Sequence, residues 1–296
     1  MRFLYILFSF ILILTSCEDV IEINPEWDGE KLVVDAWLDN LSRPQTVRLT
    51  YSQPYFENEF SEAVVDASVS LIKNERETYN FVPDGSGNFT WSPGEEEYLG
   101  DVGDQFQLVI EFDNQTFTAS TQIYRVPEID SIAQVYEESQ LGVPEGDYAE
   151  LVADDFPGTG DSYWARTWKN GELLNKPFEM LLIFDATFDP GSSLDGITFI
   201  FPIRRGINPI PDEVEGDEEV PPPYVPGDSI YVELSSISNE GFRFLQIALE
   251  QMTNGNNGLF AVPIANTNSN IVSNDGVQPL GFFNVAAIET ASKVIR

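Results

Sequence analysis

Any catalysis in this chain would rest on carboxylates, Lys, Ser or Tyr, and carboxylates dominate. There are 49 Asp and Glu against 15 Lys and Arg, no histidine, and one cysteine, Cys17. Without histidine the chain lacks the usual general base near neutral pH, the commonest metal ligand, and any Ser-His-Asp or Cys-His arrangement. A bound metal would have to be held by oxygen, which means calcium or magnesium. Three segments are rich in carboxylates. "ADDFPGTGDSYW" holds Asp154, Asp155 and Asp161, and "DATFDPGSSLDG" holds Asp185, Asp189 and Asp195. The third run places Asp212, Glu213, Glu215, Asp217, Glu218, Glu219 and Asp228 among prolines. None has the EF-hand spacing D-x-[DN]-x-[DN]-G. Asp185, Asp189 and Asp195 are calcium candidates, set against the default of a solvated acidic loop. A glycosidase uses two carboxylates about 5–9.5 Å apart, but in so acidic a chain such pairs arise by chance. The expectation is a protein that is not an enzyme and needs no cofactor.

Aromatic residues offer a second chemistry, that of contact. Tyr163, Trp164 and Trp168 fall on one expected strand, and Trp164 and Trp168 share its face by parity. Core packing is the ordinary role of such a pair. An exposed pair would instead stack on a sugar or anchor a protein interface. Tyr224 lies among prolines and is expected to be exposed. With the acids of loop 208–228 it forms the expected contact surface.

Cys17 ends an apolar run, Phe3 to Leu14, that follows Arg2. That run is shorter than the ~20 residues needed to span a bilayer, so residues 1–16 read as an export signal. Its end, Leu14-Thr15-Ser16-Cys17, resembles the lipobox of bacterial lipoproteins. In that family the signal is cut before the cysteine, which is then acylated, and two or more acyl chains give stable attachment. Residues 17–30 then serve as tether. The acids that follow, Glu18 and Asp19, resemble the signal that sends Bacteroidetes lipoproteins to the outer face of the outer membrane. The plainer alternative is solvated linker charge. With a single cysteine, no disulfide can form within the chain.

A formal charge of −34 repels phosphate backbones and anionic lipid, so nucleic acid is excluded as a main partner. With 42% apolar and 12% aromatic residues, the chain can still build cores.

The elements that must hold these residues are mostly strands. "KLVVDAWLDN" and "TVRLTYS" alternate with a period of two. "PDGSG" punctuates one hairpin and Asp113-Asn114 turns another. These segments predict an antiparallel β-sandwich over 31–125 and a second β-rich unit over 126–296. In the second unit, strands are expected near 132–136, 149–153, 163–169, 178–184, 197–203 and 229–235. One helix is expected over 239–253, capped by Ser238 or Asn239, with Phe242, Leu245, Leu249 and Met252 on its packing face. "GFFNVAAIE" predicts one final strand.

"KLVVDAWLDN", "ASVSLI", "DGSGNFTW", "GDQFQLVIEFDNQTFTAS", "VPEIDSI", "GDSYWARTWKNGELL", "GDSIYVELSSIS" and "NSNIVSNDGVQPLGFF" resemble, in this order, segments of the DUF4249-type family of Bacteroidetes surface lipoproteins. The resemblance implies genes beside TonB-dependent outer-membrane receptors and an immunoglobulin- or transthyretin-like N-terminal sandwich. It implies no catalytic residue. The partner it suggests is such a receptor, with the membrane reached through lipid. Stand-alone glycan or cation binding is the alternative. Asp130-Ser131-Ile132 and Asp228-Ser229-Ile230 resemble the D-[ST]-aliphatic O-glycosylation site of Bacteroidetes exported proteins, with Ser131 and Ser229 as acceptors if exposed.

Overall fold

The computed structural model describes residues 29–54, 57, 59–139, 145–187, 194–203, 223–254 and 267–296. They are mainly β. The strands are β1 (Leu32–Asp39), β2 (Gln45–Tyr51), β3 (Ser68–Lys73), β4 (Glu77–Pro83), β5 (Asn88–Trp91), β6 (Gln105–Phe112), β7 (Gln115–Gln122), β8 (Ile129–Glu137), β9 (Gly146–Asp154), β10 (Ser162–Lys169), β11 (Glu172–Leu174), β12 (Leu181–Phe184), β13 (Thr198–Ile203), β14 (Ser229–Ile237), β15 (Val272–Ser273), β16 (Leu280–Ala286) and β17 (Ile288–Val294). One α-helix, α1 (Asn239–Asn254), interrupts them. No described helix is long and apolar enough to cross a membrane.

The expected alternation is realised in β1. Leu32, Val34, Ala36 and Leu38 are buried on one face, while Trp37 leaves the other. Asp113 and Asn114 both have positive φ and join β6 to β7 as a two-residue hairpin turn. Nine strands form one sheet in the order β15-β7-β6-β3-β4-β5-β2-β1-β16. It curls until β16 touches β7. One core fills the curl, drawing Leu49, Leu71, Phe89 and Leu108 together with Ile271, Phe283 and Val285.

That sheet is not confined to the first 125 residues. β1 pairs in parallel with β16, Val33 opposite Leu280 through Asp39 opposite Ala286. Gly281 makes the approach possible. It sits at φ +92°, and a Cβ there would lie 1.9 Å from the Val34 carbonyl oxygen. The segment expected as one final strand is in fact two. The chain breaks at Ala287, whose N–H donates to Ser236 Oγ at 2.9 Å, and β17 then joins a different sheet.

That second sheet runs β11-β10-β14-β17, with β12 also on β10. A third runs β13-β9-β8. Tyr163, Leu151, Phe199, Phe201, Val232 and Leu234 belong to the core these two enclose. α1 begins as expected, with Ser238 Oγ accepting the Gly241 N–H at 3.0 Å. It places Phe242 and Leu245 in a third cluster with Leu182 and Ile237, against which Trp37 and Trp164 pack. Met252, expected on that face, is exposed near the helix end. Trp37 comes from the nine-stranded sheet and Trp164 from the five-stranded one, so this cluster seals the joint between them.

Candidate functional site

Three aspartates from separate loops converge at one end of the second core. Asp155 follows β9, Asp185 follows β12, and Asp195 lies just before β13. One carboxylate oxygen from each lies within 4.8 Å of one from each of the others. Asp155 and Asp185 are only 5% and 3% exposed. Hydrogen bonds fix all three. Asp155 Oδ1 accepts the Tyr163 hydroxyl at 2.9 Å and Oδ2 the Gly196 N–H at 3.2 Å. Asp185 Oδ1 accepts the N–H groups of Gly160 at 2.6 Å and Asp161 at 2.9 Å. Asp195 Oδ2 accepts the Gly158 N–H at 3.3 Å. Gly196 has φ +63°, and a Cβ there would stand 3.1 Å from Pro157 Cα, so only glycine brings this N–H in without displacement.

Among the described residues no cationic side chain pairs directly with the trio. Arg125, the nearby cation, is taken by Asp161 (Nε to Oδ1, 2.8 Å), by the carbonyls of Pro157 and Gly158, and by the ring of Phe156. Burial pushes the Asp155 carboxyl up from its ordinary 3.8. The bonds from Tyr163 and Gly196 oppose that shift, and the negative charges of Asp161 and Asp185 add to it. At an effective dielectric near 20, two carboxylate charges at this separation repel by about 3 kcal/mol. Such a cluster can share a proton or hold a hard cation.

A second cluster lies on the five-stranded sheet. Trp164, Arg166 and Trp168 share one face of β10, as parity requires. The guanidinium of Arg166 sits 5.2 Å from the Trp164 ring and 5.9 Å from Trp168. It also donates to Glu233 Oε2 at 2.9 Å. Glu233, on β14, is 1% exposed. It accepts two more bonds from Arg43, at 2.6 and 3.0 Å, and one from the Tyr231 hydroxyl at 3.2 Å. Arg43 in turn holds Asp39 at the end of β1. The network thus ties the β1–β2 turn to the second sheet. The Glu233 hydrogen bond raises the pKa of Arg43, while burial lowers that of Arg166. Trp164 packs edge-on against Trp37 at 5.4 Å and Trp168 against Tyr231 at 5.3 Å. Both indoles are therefore partly buried packing groups rather than an open platform.

Tyr224 is corrected from an exposed contact residue to a core one. It is 1% exposed and belongs to the second hydrophobic cluster. It bridges to Asp147, and Lys169 Nζ lies 5.4 Å from its ring centroid. The cause is Asp228, which pins the segment. Asp228 accepts the Val225 N–H at 2.9 Å and the Asn170 amide at 2.8 Å, and it pairs with Lys169 at 3.2 Å. Ser131 and Ser229 are both exposed, although the Ser229 N–H is bonded to Asn170. Cys17, Glu18, Asp19, Asp189, Asp212, Glu213, Glu215, Asp217, Glu218 and Glu219 lie outside the described residues.

Of the calcium candidates, Asp185 and Asp195 do meet, and their described partner is Asp155 from the neighbouring acidic run. Local spacing could not show this, because the three aspartates come from three loops. Glu233 carried no sequence signal beyond being an acid in an otherwise apolar and hydroxylic strand.

No curated protein matches the chain. A family model described as a domain of unknown function, DUF4249, matches residues 18–292. The match spans nearly the whole sequence and both clusters, and by it the chain belongs to the DUF4249 family.

Proposed function

We propose that this protein is a non-catalytic surface lipoprotein, held through lipid on Cys17 at the outer face of the outer membrane. There it acts as an accessory subunit of a TonB-dependent receptor and helps substrate capture or uptake. The observation that carries this reading is the junction at Cys17. An apolar run ends in a lipobox-like Leu-Thr-Ser-Cys, and the family match begins at the next residue, Glu18. The lack of histidine supports a role in binding rather than turnover. In this reading the curled sheet is an immunoglobulin- or transthyretin-like sandwich. The acids between Asp212 and Glu219 meet a basic rim on the receptor, where opposite charge speeds encounter and fixes register.

Purification in mild detergent from cells at native expression tests the partner. A TonB-dependent receptor is expected to co-purify, and recovery of this chain alone would refute the reading. Radiolabelled palmitate tests the anchor separately. Label is expected on the natural chain and lost in Cys17→Ser.

A further inference from the structure

We propose that Asp155, Asp185 and Asp195 form a calcium site that staples three loops together. The proposal goes beyond receptor docking and stands whether or not a receptor co-purifies. Three aspartates alone would not carry it, because acidic clusters are common on so anionic a chain. The further observation is that one buried carboxylate oxygen in this cluster is left without a donor. Asp195 Oδ1 is buried and has no hydrogen-bond partner. Asp185, 3% exposed, takes both of its backbone N–H donors on Oδ1. A buried carboxylate oxygen without a donor is strongly unfavourable unless a cation or proton faces it.

The geometry suits calcium. Oxygens on opposite sides of one calcium ion lie about 4.6–5.2 Å apart, twice the usual 2.3–2.6 Å bond. The three oxygens here fall within 4.8 Å of one another. All candidate ligands are hard carboxylate oxygens, which excludes metals that need nitrogen or sulfur. Magnesium demands a tighter octahedron at about 2.0–2.1 Å and gives up its waters reluctantly, so calcium is the better fit. Asp195 is only partly buried and marks the side where water completes the shell. The N–H donors from Gly158, Gly160, Asp161 and Gly196 orient the carboxylates from behind. A bound ion would therefore lock the 155–161 loop to residues 185 and 195–196.

The experiment uses the full chain in detergent, stripped with chelator and titrated with calcium chloride or magnesium chloride in a calorimeter. Thermal melts run in parallel. One calcium per chain is expected, with saturation by about 1 mM, the range of extracellular calcium modules. The melting temperature should rise by about 5–10 °C at a hundredfold excess over Kd. Asp195→Asn should weaken binding by about tenfold or more and abolish the rise. Glu111→Gln, an exposed acid far along the chain, should change neither. Asp185→Asn risks misfolding, because that carboxylate caps two backbone N–H groups; Asp155→Asn is the second variant. A melt that calcium leaves unmoved would overturn the proposal. So would binding that never saturates, or a shift that Asp195→Asn leaves intact.

Discussion

Replacing Glu233 by Gln probes how the two halves of the molecule are held. The carboxylate is almost fully enclosed and serves Arg43, Arg166 and Tyr231 together. Gln keeps the shape but removes the charge and one acceptor oxygen. Arg166 then remains between two indoles with no anion opposite. Breaking a buried ion pair from one side costs about 3–5 kcal/mol. The Arg43 side chain is 36% exposed, so solvent screens that part of the loss, and the lower end of the range, about 3 kcal/mol, is expected. For a chain of this size that corresponds to a fall of roughly 6–12 °C in melting temperature. Tryptophan fluorescence is the natural assay, since Trp164 and Trp168 flank Arg166. The double variant Glu233→Gln with Arg166→Met should cost clearly less than the sum of the single changes, because it removes both the orphaned cation and its partner. If Glu233→Gln melts within about 1 °C of the natural chain, the network is not what joins the sheets and the reasoning fails.

Gly281→Ala should destabilise by about 3 kcal/mol or more, because the new Cβ would run into the Val34 carbonyl at a φ that L residues avoid; urea unfolding reads this directly. Asp228→Asn should show its cost only above the ordinary aspartate range. Burial alone would raise the Asp228 pKa, but Asn170, the Val225 N–H and Lys169 together hold it below 3.8. Its contribution is therefore present above 3.8 and is lost as pH falls through the depressed folded value. Denaturation of both chains at pH 7 and near pH 2–3 should show a gap that closes in acid. Deleting 212–220 should leave cooperative melting intact and weaken receptor co-purification, whereas Tyr224→Ala should lower the melting temperature by emptying part of the second core. An unchanged melt for Tyr224→Ala would contradict its burial.

Elements set by neighbours in sequence were readable from the sequence. The alternation of β1, the Asp113-Asn114 turn and the Ser238 cap each depend on a few adjacent residues, and each stands where the pattern put it. What sequence reading missed depends on distant partners. Nothing local in "GFFNVAAIE" says that Phe283 belongs to one sheet and Ile288 to another, since both are apolar and β-compatible. Tyr224 read as exposed because prolines and acids surround it, but a single aspartate four positions on draws it inward. The aspartate trio was half visible. Asp185 and Asp195 stand out by charge and turn residues, while Asp155 joins them only through the pairing of β9 with β13 and of β10 with β12.

The parallel pairing of β1 with β16 has a temporal consequence. β1 has no partner on that flank until Leu280–Ala286 have been made, about 240 residues later. Loop closure over such a distance is slow, so the nascent chain carries an unfinished edge for most of its synthesis. A truncation before Leu280 would therefore remove the closing strands and leave β1 without its neighbour as well.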